Sequence, residues 1–108
     1  MKDQVKNILP ALEYLNKASP QERQEYITTS KNSFLKKFID LLFNINCGNL
    51  PTTEFFLNKL RKFKKQIIIL CKKTISLKVR KAILKKKNLF SKLIPILVSL
   101  LINNEIFQ

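Results

Sequence analysis

A single glycine, Gly48, in a chain of 108 residues leaves almost no material for tight two-residue turns. Four prolines add little more. A sandwich or barrel of short strands needs a turn signal roughly every 8–12 residues. The chain is therefore directed toward helices joined by short connections. Its length suits one domain. The fold expected is all-α: a single compact bundle of five or six short helices closed by an apolar C-terminal helix.

Local signals place those helices. Asn7 is positioned to cap a first helix over Ile8–Lys17, with Pro10 in the opening turn and Leu9, Leu12 and Leu15 on one face. Ser19-Pro20-Gln21-Glu22 reads as a capping box with proline at the first helical position, opening a short polar helix to Thr28. A third helix, Asn32–Asn46, carries Phe34, Leu35, Phe38, Leu41, Leu42 and Ile45 at helical spacing, and Gly48 ends it. Pro51, Thr52 and Thr53 open a fourth, Thr53–Lys72, striped by Phe56, Leu60, Phe63, Ile67 and Leu70. Ser76 caps a fifth, Leu77–Lys87, with Val79, Ala82 and Ile83 expected inward. Residues 89–108 form an apolar C-terminal helix, either packed on a helical domain of residues 1–88 or available to a partner. Its run Leu89–Ile102 contains Pro95 and falls short of the roughly 20 residues needed to cross a bilayer.

Charge is segregated along this frame. The net charge is +14. Residues 1–54 hold 7 basic and 6 acidic residues, a net of +1, whereas residues 55–108 hold 14 basic residues and Glu105, a net of +13. Such an excess self-repels and calls for a polyanionic partner. Three of the basic residues are arginine, Arg23, Arg61 and Arg80, and the rest are lysine. Lysine is a flexible point charge rather than a planar fork, which favours binding the phosphate backbone over reading base edges.

Catalysis finds little support. There is no histidine to serve Cys47, Cys71 or a serine as base, and no glycine-rich loop to cradle a nucleotide. Two cysteines fall short of a zinc site. The chain is expected to be non-enzymatic, without cofactor or metal. Cys47 and Cys71 are expected as buried thiols in a reducing compartment, although a disulfide between them is possible on paper. The N-terminus opens no apolar run of the secretory type, so secretion is not expected.

The residues expected to neutralise phosphates are Lys59, Arg61, Lys62, Lys64, Lys65, Lys78, Arg80, Lys81, Lys85, Lys86 and Lys87. They lie on successive predicted helices, interleaved with apolar positions, so they would project from a folded surface. A merely solvated face would mix in glutamates, and none occurs between Glu54 and Glu105. The phenylalanines Phe34, Phe38, Phe55, Phe56 and Phe63 invite base stacking, but their spacing fits core packing better. Leu93, Ile96, Leu97, Leu100 and Leu101 form the core of the last helix, a self-association contact, or a membrane or partner contact beside the lysines.

The stretch Gly48-Asn49-Leu50-Pro51-x-Thr53, then Lys59-Leu60-Arg61-Lys62-Phe63-Lys64-Lys65, continues through Lys73-x-x-Ser76-Leu77-Lys78 and Arg80-Lys81 to Leu93-Ile94-Pro95-Ile96-Leu97. It resembles a family of small basic proteins encoded by adintoviruses and Polinton (Maverick) elements, likened to the adenovirus core protein X precursor. Ala18-Ser19-Pro20-Gln21-x-Arg23 looks similar as well. Where family members carry a Gly-Gly pair before the apolar tail, this chain reads Lys87-Asn88-Leu89-Phe90. The resemblance implies a virion core or DNA-packaging component acting in the virion and the host nucleus. DNA is the partner expected, with RNA open. The alternatives are a membrane-active protein on anionic lipid and a helical protein-interaction module.

Overall fold

The computed structural model describes residues 2–48 and 53–103. Its helices are α1 (Lys2–Lys17), α2 (Pro20–Thr29), α3 (Asn32–Asn46), α4 (Glu54–Arg61), α5 (Lys64–Leu70), α6 (Leu77–Lys85) and α7 (Leu89–Asn103). A 3₁₀ turn, Lys86–Asn88, joins the last two. Among the described residues there is no strand, and the all-α expectation holds. The Cα radius of gyration, 12.9 Å, is close to the ~13 Å of a single domain of about 100 residues.

The apolar helix α7 is the centre of the fold. It packs against α1, α2, α4 and α6. Leu93, Ile94, Leu97, Leu100 and Leu101 are fully buried, as a helix apolar on nearly all sides should be. Each such side chain contributes roughly 1.5–3 kcal/mol relative to exposure. Phe90 sets its ring edge-on to Phe38 at 5.0 Å, tying α7 to α3. Leu93, Leu97, Leu100 and Leu101 are interior, Ile96 is half-buried, and no described helix is long and apolar enough to cross a membrane.

Several start and stop signals act as read. Ser19 Oγ accepts from the Glu22 amide at 3.1 Å, and Glu22 Oε1 accepts from the Ser19 amide at 2.9 Å, closing the capping box. Those bonds stabilise the ionised Glu22 carboxylate and lower its pKa. Ser76 Oγ accepts from the Val79 amide at the start of α6. Gly48 takes φ +76° directly after α3, a conformation that a Cβ would disfavour.

Other expectations are corrected. The first helix begins at Lys2, so Asn7 lies within it rather than at its cap, and Pro10 lies in its interior. The helix expected over Thr53–Lys72 breaks at Phe63, which has φ −111° and ψ 11°. The break lets α4, which buries Phe56 and Leu60, pack on α7, while α5, which buries Ile67 and Leu70, packs on α3. The inward face of α6 is set one step away from that expected: Leu84 is buried, Ile83 half-buried, and Val79 and Ala82 are exposed. Cys47, at the C-cap of α3, is exposed rather than buried, and Cys71 is half-buried; both thiols are free. Pro51 and Thr52, and the end of the C-terminal segment from residue 104, lie outside the described residues.

Candidate nucleic-acid interface

Not every basic residue of the second half is available to a ligand. Two, Arg80 and Lys81, are engaged by the protein itself. The half-buried Arg80 donates through Nη1 to the Leu70 carbonyl at 3.3 Å, satisfying the end of α5. Its Nε is buried without a partner. The Lys81 ammonium donates to the Ser30 carbonyl at 3.0 Å, just beyond the end of α2. Both side chains take inward-facing positions of α6, which is why the apolar pattern of that helix is misleading. Arg61 pairs with Glu54 at 3.5 Å, but both are exposed, so this pair is worth little and yields readily to a phosphate.

Three adjoining surface grooves gather most of the others. The first, about 460 Å³, is lined by Phe55, Asn58, Lys59, Lys62, Phe63 and Ile96. The second, about 360 Å³, is lined by Lys62, Phe63, Gln66, Ile69, Ile83, Lys86, Lys87, Leu89 and Lys92. The third, about 520 Å³, is lined by Gln24, Lys78, Lys81, Ala82, Lys85 and Lys86. Lys62 and Phe63 belong to the first two, and Lys86 belongs to the last two. The grooves therefore adjoin at these residues and together make up one lysine-lined track. Among the described residues no acidic side chain lines any part of it.

The chain builds the middle of this track at some conformational cost. Lys87 and Asn88 both adopt positive φ, 54° and 58°, a region that side chains with a Cβ disfavour. The double left-handed step breaks the helical path between α6 and α7 within the 3₁₀ turn. It sets Lys86 and Lys87 in the groove that Lys62 enters from the C-terminus of α4 and Lys92 from α7. Gln24 joins α2 to this corner by donating to the Lys85 carbonyl at 3.0 Å.

Of the expected residues, Lys59, Lys62, Lys78, Lys85, Lys86 and Lys87 line the track, and so does Lys81, whose ammonium is already bonded to the Ser30 carbonyl. Arg61 and Lys64 do not. They line a separate cleft of about 200 Å³ beside α3, with Leu42, Ile45, Leu60 and Ile67. Lys65 is exposed. Lys92 lines the track and is missing from the expected set. Its signal was available: it is a solvent-facing lysine in a helix that is otherwise almost wholly apolar. Lys72 and Lys73, in the connection before α6, are exposed as well.

Of the candidate aromatic residues, Phe38 and Phe56 are buried and Phe34 and Phe63 half-buried, as core packing requires. Phe55 differs. It is 61% exposed, and the Lys59 ammonium stands 4.4 Å from its ring centroid.

Compared with protein-family models, curated proteins and solved structures, the chain matches none.

Proposed function

We propose that this protein binds nucleic acid through the phosphate backbone, without enzymatic chemistry, as a core or packaging component of a DNA virus or virus-like element. The observation that carries this reading is the track of adjoining lysine-lined grooves, free of acidic side chains among the described residues. Lysines distributed over α4, the 3₁₀ turn, α6 and α7 meet a ligand that presents repeated negative charge. A small anion would occupy one groove and leave the others unneutralised. Ammonium groups on flexible stems neutralise phosphates without reading base edges, so binding is expected to be indifferent to sequence. The resemblance of the basic segments to adintovirus and Polinton proteins favours DNA over RNA and a virion setting.

The test is a titration of duplex DNA across a salt series. About six phosphate contacts give a slope of log K against log salt near −5. The triple variant Lys62→Ala, Lys86→Ala, Lys87→Ala is expected to flatten that slope by roughly 2–3 while leaving the fold intact, because all three side chains are exposed. A folded protein that ignores duplex DNA at low salt overturns the reading. Equal affinity for anionic vesicles, with the same salt slope, would assign the track to a membrane surface instead.

A further inference from the structure

The track contains one feature that phosphate neutralisation does not use. Phe55, in the first turn of α4, is 61% exposed, while its neighbour Phe56 is 6% exposed and anchors the helix in the core. Phe56 meets Phe55 edge-on, with centroids 5.3 Å apart, so the buried ring props the exposed one. Lys59, one turn on, sits over the Phe55 ring, and Asn58 and Lys62 share its groove. An exposed, propped aromatic ring with one ammonium over it and a second lysine in its groove combines apolar surface with positive charge. A base pair in the interior of a duplex offers no face to such a ring, because both its faces are stacked. An unpaired base on its own phosphate backbone offers both elements together.

We infer that the first groove is a single-strand site, in which Phe55 stacks an unpaired base and Lys59 and Lys62 hold the adjoining phosphates. This rests on the phosphate-binding reading of the track and adds a strand preference to it. Duplex DNA meets only the lysines. Single-stranded DNA meets the lysines and the ring. Asn58 carries a donor and an acceptor within reach of the same groove, without a bidentate partner to make the contact strongly base-specific.

The test uses an oligothymidylate of about 16 nucleotides, at the upper end of single-strand site sizes, and a duplex of the same length. Phe55→Ala is expected to weaken oligothymidylate binding at least about fivefold, the lower end of what one base–aromatic stack contributes, and to leave duplex binding unchanged. The chain contains no tryptophan, so Phe55→Trp introduces a unique fluorophore at the site. Its emission is expected to be quenched by the oligothymidylate and not by the duplex, with single-strand affinity retained. If Phe55→Ala binds both probes as the parent does, the stacking site is overturned while the phosphate-binding reading stands. Failure of the parent protein to bind either probe at low salt overturns both. Thermal melts of the variants confirm that each is folded, since Phe55 contributes little buried surface.

Discussion

The Arg23 guanidinium supplies the hydrogen bond that Pro95 cannot. Pro95 lies inside α7, and its missing N–H leaves the carbonyl of Ser91, four residues earlier, without its helical partner. Arg23 Nη1 donates to that carbonyl at 3.1 Å and to the Ser91 hydroxyl at 3.3 Å. The same side chain donates through Nε to the Leu15 carbonyl at 2.7 Å and through Nη2 to the Asn16 carbonyl at 3.1 Å. One arginine of a polar-looking helix thus ties the end of α1 to the first turns of the central helix. Ser91 is buried, so its carbonyl has no easy recourse to water.

Arg23→Ala is therefore expected to destabilise the fold by about 2–3 kcal/mol, as the loss of charge-assisted bonds to part-buried carbonyls should. Arg23→Lys is expected to recover little of this, since an ammonium lacks the guanidinium fork that here reaches three carbonyls. The relation to Pro95 makes the sharper prediction. Pro95→Ala restores an amide donor to the Ser91 carbonyl, so Arg23→Ala should cost about 1 kcal/mol less in that background. Urea denaturation of the four proteins in the cycle measures the coupling. Additive losses would show that Arg23 acts through the end of α1 alone.

This bond also marks where the sequence stops being readable. Local chemistry was legible: the Ser19–Glu22 box, the Ser76 cap, Gly48 after α3, and the apolar stripes of Leu12 and Leu15, of Phe38 and Leu42, and of Leu93 and Leu97. Each rests on residues a few positions apart. Side chains that reach across the fold leave no such pattern. Arg23 to Ser91, Arg80 to Leu70 and Lys81 to Ser30 join separate elements. They turn residues that look like surface charge into structural donors. The same holds for the site. The basic region could be bounded by composition, but the division of its lysines among a track, a cleft and the interior is decided by the break at Phe63 and the turn at Lys87.

The division of labour among the basic residues predicts opposite phenotypes. Arg80→Ala removes the donor to the Leu70 carbonyl and is expected to cost about 1–3 kcal/mol of stability, with little change in the salt slope of DNA binding. Lys62→Ala and Lys92→Ala alter exposed side chains of the track. Each is expected to leave the melting temperature within about 2 °C and to reduce the slope by roughly 1. Melting curves and salt-dependent titrations on the same preparations check both columns. A slope change from Arg80→Ala in a fully folded protein would return that residue to the interface.

Lys87 carries strain and charge at once, and the two can be separated. Its φ of 54° is disfavoured for a residue with a Cβ by about 1–2 kcal/mol, while glycine adopts it freely. Glycine adds chain entropy to the unfolded state, worth roughly 0.5–1 kcal/mol in the other direction. Lys87→Gly is thus expected to match or exceed the parent in stability by up to about 1.5 kcal/mol, yet to bind DNA more weakly and with a flatter salt dependence. Denaturation midpoints against binding isotherms provide the comparison. A large loss of stability would mean that the Lys87 stem is held by packing rather than strained.

The two thiols are expected to differ in reactivity. Cys71, at the C-cap of α5, is half-buried, and burial is the main reason its pKa is pushed up to about 11. Cys47 and Asp40 raise it further, and the Arg80 guanidinium opposes them. Thiolate is the reactive form, so Cys71 is nearly inert at pH 8 in the folded protein. Cys47 is exposed and open to reagent. A soluble disulfide reagent at pH 8, followed by peptide mass analysis, should label Cys47 first and Cys71 only after unfolding. The sign of the linked stability follows. The folded pKa lies above the ordinary thiol value of 9.0, so folding favours the protonated form. Its contribution is complete below pH 9 and is lost as pH rises toward 11. Arg80→Ala removes the charge that opposes the shift, and should slow Cys71 labelling in whatever fraction remains folded. Equal labelling of both thiols at pH 8 in the native protein would show that Cys71 is open to solvent.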